Sequence, residues 1–558
     1  MNTRIKIVGF FCFLLVVVSA GSLFSVQEQD PAVKFTLTPS NKIRVIPENA
    51  AISMKLWPDL SMKPSGLSAG ARQQNGKKNE RESRVKLGRA TLEYFTVLLY
   101  SWPNHLRTYD GRLEEWEFGW NWNDQLRRTF TLDGWRFDSN SFFMNYGHVL
   151  AGASYYNIAR SNNMNVFQSF LFNTAGSLFW EYIPEWRQVI SINDVVYNVF
   201  GALSMGEAIF QVSKYFMNKK GFIYRLLEYT NPLTKINKWL DGKTIEPWQK
   251  TTPASSGFFD IFFGQRYLNA PDNGDIGKTF WIGIETRLRS FPDISRKEFS
   301  GTDPSINFTE VRWNMSTDRD GKAEANFRAL IQLFSLVNQK IDENNRGHSF
   351  SFGLASAFTY YRRRPVAFYD SHKVRPRHGV DLQLEEPRNF TDKYTAVHML
   401  GPRIEYSAYR GDLSFRISTS AFLDFSFVNA LAFNTYSADN DISLTKTSML
   451  YFGFYYAYGA TLNTNLSLSY KNLLLEGRLW AHAWESIEGR DRFQDEILDD
   501  FDIDDQRLRW TMDLKYAFSR LPLGLLLRYE IHHRSGVIKE IRETNTISRW
   551  AGGLLVRF

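Results

Sequence analysis

The chain has 558 residues, a net charge of +8 and a single cysteine, Cys12. Cys12 lies in the leader, which excludes disulfide and thiol chemistry from the mature chain, and the modest charge with no basic block or nucleic-acid motif excludes nucleic acid as a partner. A mean hydropathy of −0.34 excludes a bundle of ordinary transmembrane helices, whereas an aromatic content of 16 % fits the aromatic girdles of outer-membrane barrels.

In chain order, residues 1–25 read as a signal peptide. Arg4 and Lys6 form its positive end, Ile7 to Val18 is an apolar run too short to span a bilayer, and Val18-Ser19-Ala20 offers a cleavage site. Residues 26–89 are polar and irregular, a solvated linker in which Lys77 and Lys78 are surface charges. Val85 to Trp102 predicts a helix stopped by Pro103. Glu114 to Phe137 carries Trp116, Trp120, Trp122 and Trp135, a density that suits either a membrane-interface surface or a packed cover over the next element.

Residues 90–256 read as a small α-helical domain on the periplasmic side, a cap or plug for the C-terminal part of the chain. Helices are expected over Phe142 to Arg160 and Met164 to Tyr182, and a third begins at the capping pair Ser191 and Asp194. Gly147, Gly152, Gly176, Gly201 and Gly206 recur where helices would touch. Polar residues interrupt every apolar run.

His148, Glu181, Glu185 and Asp194 are candidate catalytic groups, because carboxylates with a histidine provide acid–base chemistry or ligands for a divalent cation. Asn145, Arg160, Asn198 and Glu207 are candidates for binding or gating. No spacing matches a metal signature such as H-E-x-x-H, and the structural alternative is equally specific: Asp194 as a helix cap, Arg160 as a carboxylate partner, His148 as a bonded core residue. No cofactor is implied.

One pattern resembles a known family. Asn145-x-x-His148-x-x-x-Gly152, Ala159-Arg160, Gly176-Ser177-x-x-Trp180-Glu181, Ser191-x-x-Asp194 and Gly206-Glu207 together resemble the bacterial domain of unknown function 3943, over about Trp135 to Phe210. The chain departs from that pattern at Val149, where proline is expected. The resemblance implies a bacterial envelope protein and no reaction.

Residues 257–558 alternate. In Phe452 to Tyr470 every second residue is apolar, aromatic or small, and the residues between are mostly small or polar. Period two over such a length predicts a membrane-spanning strand. The fold class expected is a transmembrane antiparallel β-barrel of about twelve strands, near 258–268, 279–290, 306–316, 323–337, 349–361, 394–409, 412–428, 450–470, 472–485, 507–519, 522–533 and 546–558. Tight connections alternate with long ones near 363–393, 429–447, 487–506 and 534–545, which puts both ends of the barrel in the periplasm. The opposite phase of the strands carries Glu285, Arg287, Arg403, Glu405, Glu476, Arg478, Asp513, Lys515, Arg528 and Glu530, charges that belong in a lumen and not in hydrocarbon.

Phe558 ends an alternating strand and resembles the signal read by the barrel-assembly machinery, an expected partner beside outer-membrane lipid. The run Asp499 to Asp505 has D-x-D-x-D spacing without the glycine and glutamate of a calcium loop. A barrel this narrow cannot hold a three-helix bundle, so the helices are expected at its periplasmic mouth. The functions this supports are a capped or plugged channel or structural envelope protein, a barrel-associated hydrolase of lipid or cell-wall material, or a surface-binding protein using its outer loops.

Overall fold

The protein is described by a computed structural model for residues 84–109, 117–137, 142–217, 219, 222–242, 256–269, 276–289, 298–303, 308–317, 323–363, 392–440, 453–487 and 502–558. The expected signal peptide, most of the linker, Trp116, the start of the acidic run (residues 499–501) and much of the long outer loops lie outside the described residues.

The barrel strands are β1 (Ser256–Asn269), β2 (Ile276–Arg289), β3 (Phe308–Thr317), β4 (Ala323–Ile341), β5 (Arg346–Arg363), β6 (Asp392–Arg410), β7 (Leu413–Asn429), β8 (Phe454–Tyr470), β9 (Leu473–Ser486), β10 (Ile503–Ala517), β11 (Leu523–Ile538) and β12 (Ile541–Arg557). Each pairs antiparallel with its neighbours, β12 pairs with β1, and the ring is closed. A short strand, Glu298–Asp303, pairs with β4 beyond the start of β3. Tight turns join β6 to β7 and β8 to β9 through Gly411 and Lys471, both at positive φ. The connection near 534–545, expected to be long, is instead a tight turn with Lys539 at positive φ, and β11 and β12 run up to it. The polar residues there are period-two strand above the apolar belt, which a search for apolar alternation does not find.

The two phases of each strand part as the alternation requires. On β8, Leu462, Leu466, Leu468 and Tyr470 are exposed, whereas Thr461 and Asn463 are buried. Exposed apolar side chains continue around β9 to β12 at Leu475, Leu508, Met512, Leu527 and Trp550. This apolar belt on the outside with charges inside is the pattern of a barrel that spans a membrane.

The helices are α1 (Leu87–Tyr109), α2 (Trp122–Phe130), α3 (Phe142–Ser161), α4 (Val166–Tyr182), α5 (Ile192–Val196), α6 (Ala202–Met217), α7 (Phe222–Leu227) and α8 (Pro232–Leu240), and α9 (Phe433–Asp439) lies in the β7–β8 loop. Pro103 does not stop α1, which carries it inside its last two turns. A π-helical turn, Tyr197–Gly201, joins α5 to α6. Asn165 caps α4 in a box with Gln168, and Ser191 caps α5 at Asp194.

The helices pack on the outer wall of the barrel. Their contacts are with the outward phase: Tyr197 and Val149 with Phe425 and Val397, Tyr146 with Phe358, Tyr156 and Leu203 with Ala329 and Ile331, and Phe216 with Phe259 and Leu288. Strand register makes these wall residues one row. Phe425, Val397, Phe358, Ala329, Val311, Thr286 and Phe259 are successive cross-strand partners from β7 to β1. The π turn and α6 lie along that row, across the strands rather than with them. This corrects the expected seat at the barrel mouth. The helices bury apolar surface, and the apolar surface of this barrel is its outside.

Candidate functional site

Two polar systems stand out, one between the helices and one in the lumen. In the first, Glu181 on α4 accepts the backbone N–H of Ser191 at 3.0 Å. Ser191 Oγ meets Asn193 Oδ1 at 3.1 Å, and Asn193 donates to Asp194 at 2.9 Å and to Asn145 at 3.2 Å. Asn145 reaches Tyr456 of the barrel wall at 3.3 Å, and His148 Nε2 lies 3.1 Å from Asp194 Oδ1. Glu181, Asp194 and Asn145 thus belong to one hydrogen-bonded chain that ends on the half-buried His148.

The other candidates fall elsewhere. Glu207 is fully buried and takes Arg160 Nε at 2.8 Å and the Tyr156 hydroxyl at 2.8 Å. Glu185 accepts from Trp180 Nε1 at 3.0 Å. The backbone carbonyl of Asn198, in the π turn, accepts from Asn173 at 2.7 Å. Gly152 is required beside it, since a Cβ there would lie 2.1 Å from that carbonyl oxygen.

The lumen is crossed by charge pairs. Lys515 on β10 donates to Glu285 on β2 at 2.8 Å, and Arg549 on β12 to Glu324 on β4 at 2.8 Å. Arg507 on β10 reaches Asp392 on β6 at 2.9 Å, and Arg287 on β2 reaches Glu476 on β9 at 2.5 Å. Neighbouring strands add Arg528 to Asp513 at 2.6 Å and Arg478 to Asp513. Arg403 holds Glu405 at 2.6 Å, and Arg549 holds Glu530 at 2.7 Å. All of these carboxylates except Asp392 are buried. Between Glu285, Arg328, Arg478, Arg509 and Glu530 lies a cavity of about 30 Å³, room for a water. Asp505, expected in an acidic loop, is in β10 and bound by Arg507 and Arg534.

Within this network His398 on β6, Asp424 on β7 and His482 on β9 place three ligand-type atoms within 4.8 Å of one another. His398 Nδ1 is 2.7 Å from Asp424 Oδ1, and its Nε2 is 2.9 Å from Thr359 Oγ1. Thr461 bonds both Asp424 and His482, and Trp484 Nε1 donates to Asp424 at 2.8 Å.

The helical system has a family counterpart. Residues 134–230 match the family described as Domain of unknown function (DUF3943). The DUF3943 segment therefore includes α3 to α7 and every candidate residue of the helical chain. No curated protein matches this chain. Among solved structures, the translocator domain of the autotransporter NalP from Neisseria meningitidis is similar at 10 % identity and a TM-score of 0.19, covering 54 % of this chain and 89 % of that one. The outer-membrane protein OmpT of Vibrio cholerae is similar at 7 % and 0.20, over 55 % and 97 %. The β domain of the Bordetella autotransporter BrkA is similar at 10 % and 0.21, over 54 % and 99 %. The barrel assignment itself rests on the strand pairing.

The histidine–aspartate cluster is not visible in the sequence. Its members and the threonines bonded to them are spread over five strands, and only register brings them together: His398 opposite Asp424, and Thr461 opposite His482. The period-two phase of β7 does turn Asp424 inward, and that is the one available signal. Chemically, the DUF3943 chain offers a histidine oriented by a carboxylate, and the lumen offers two imidazoles and a carboxylate.

Proposed function

We propose that this protein is a closed, non-conducting barrel of the bacterial outer membrane whose outer wall carries the DUF3943 segment among the lipids. The observation that carries the reading is the set of ion pairs joining strands four or five apart in the ring, such as Lys515–Glu285 and Arg287–Glu476. Paired charges across a lumen leave no open path, and the helices are not the plug. The apolar side chains that α1 and α4 leave exposed, Leu92, Leu99, Phe167 and Leu171, suit a segment in contact with lipid. Phe558 packs on Phe259 and Tyr224 in the finished fold, which suits a signal read by the assembly machinery before the helices dock.

The test is conductance in planar bilayers, comparing the mature chain with one lacking Trp102 to Trp248. Both forms are expected to stay closed. A steady pore on deletion would make the helices a gate and overturn the reading.

A second reading is favoured by one observation. His148 stands at the end of a carboxylate-anchored chain, at 3.1 Å from Asp194, as a general base would. That hydrolase reading predicts that His148→Ala abolishes turnover of lipid or cell-wall material in a folded protein. It fails if no such turnover is detected in the wild type.

A further inference from the structure

The lumen pairs its carboxylates with arginine or lysine at nearly every strand. Among the described residues Asp424 is the exception. It is buried, and among the described residues its ion-pair partner is His398 alone. A carboxylate withdrawn from water without a permanent cation is costly unless something supplies the positive charge.

We propose that His398, Asp424 and His482 form a binding site for a divalent transition metal of the zinc class. The donor set of two imidazoles and one carboxylate suits zinc, and soft thiolates are not needed. The candidate ligand atoms are already gathered within 4.8 Å. The outer shell is built as well. Thr359 Oγ1, 2.9 Å from His398 Nε2, can accept its proton in the tautomer that leaves Nδ1 as the ligand, and Trp484 Nε1 at 2.8 Å orients Asp424. Register shifts flank the site on both sides of β6, between Ser420 and Asp424 and between Ala355 and Ala357, so that one extra β6 residue turns His398 into the cluster. Thr461, bonded to both Asp424 and His482, is placed to be the fourth donor or to yield to a water. Binding needs only a change of imidazole tautomer and no redox partner.

The experiment refolds the mature chain into detergent with zinc, dialyses it, and counts metal per folded barrel by mass spectrometry. Folding is scored separately by the heat-modifiable band. The wild type is expected to retain one zinc per chain, and His482→Gln and Asp424→Asn to lose at least nine-tenths of it while still folding. His148→Gln, at the other His–Asp pair, is expected to retain it. Cobalt in place of zinc is expected to give the intense visible bands of a four-coordinate site. Equal zinc in wild type and His482→Gln, or none in the wild type, overturns the proposal and leaves the cluster as a hydrogen-bonded network. If Asp424→Asn does not fold, the His482→Gln comparison decides alone.

Discussion

Arg287 tests whether the lumen is a dry ion-pair network or a wet one. Its guanidinium reaches Glu476 at 2.5 Å, Glu310 at 3.1 Å and Glu285 at 3.4 Å. Arg287→Met keeps much of the packing and removes the cation. Breaking a buried pair costs about 3–5 kcal/mol because the partner charge is left behind. Here Arg312 stays 2.8 Å from Glu310, and Arg478 stays 3.4 Å from Glu476, so the lower end, about 3 kcal/mol, is expected. Adding Glu476→Gln removes one stranded charge and should recover about 1–2 kcal/mol, a coupling of ordinary size for touching groups. The assay is urea unfolding in lipid vesicles, followed by tryptophan fluorescence and by the folded band. A loss below about 1 kcal/mol for the single variant, with no recovery in the double, would mean water screens these charges and the lumen is open.

The helices give further outcomes to check. Gly152→Val puts a Cβ onto the Asn198 carbonyl, and is expected to cost about 3 kcal/mol and loosen α3 from the π turn, read as faster amide exchange there. Gly147→Ala in the same helix meets nothing within 4 Å and is expected to be neutral or to stabilise by about 0.5–1 kcal/mol; similar effects for both would refute the close contact. Trp120 and Trp122 are 75 % and 81 % exposed, at the start of α2, and should be quenched by brominated lipid. Unchanged quenching in Trp120→Phe/Trp122→Phe would place this surface in water or against another protein.

The barrel was legible because hydrocarbon outside and charge inside leave a period-two signature that needs no knowledge of partners. Leu462 and Leu466 against Thr461 and Asn463 say as much in four residues. The seat of the helices was not legible. Phe425, Phe358 and Phe259 belong to the same phase as the lipid-facing leucines, and an aromatic that meets a helix looks like one that meets a lipid. Sequence groups His148 with Glu181 and Asp194 by proximity, and the fold joins them through Ser191 and Asn193, whose roles only the turn into α5 creates. The lumen cluster was hidden by distance, since His398 and His482 are separated by two whole strands and a loop.

The row of wall residues beneath α6 has a shape of its own. A helix is close to straight, whereas a barrel wall falls away from a rod laid against it. Over about 24 Å, the length of sixteen helical residues, the gap at each end grows to a few ångström. The side chains compensate. Along the stretch of the row under α6, Ala329, Val311 and Thr286 are small and lie between the larger Phe358 and Phe259. Small side chains in the middle and a phenylalanine at each end suit a straight helix laid across a curved wall. The helices are therefore fitted to this wall in particular, and the same segment grafted onto a barrel of different girth would rock on its middle.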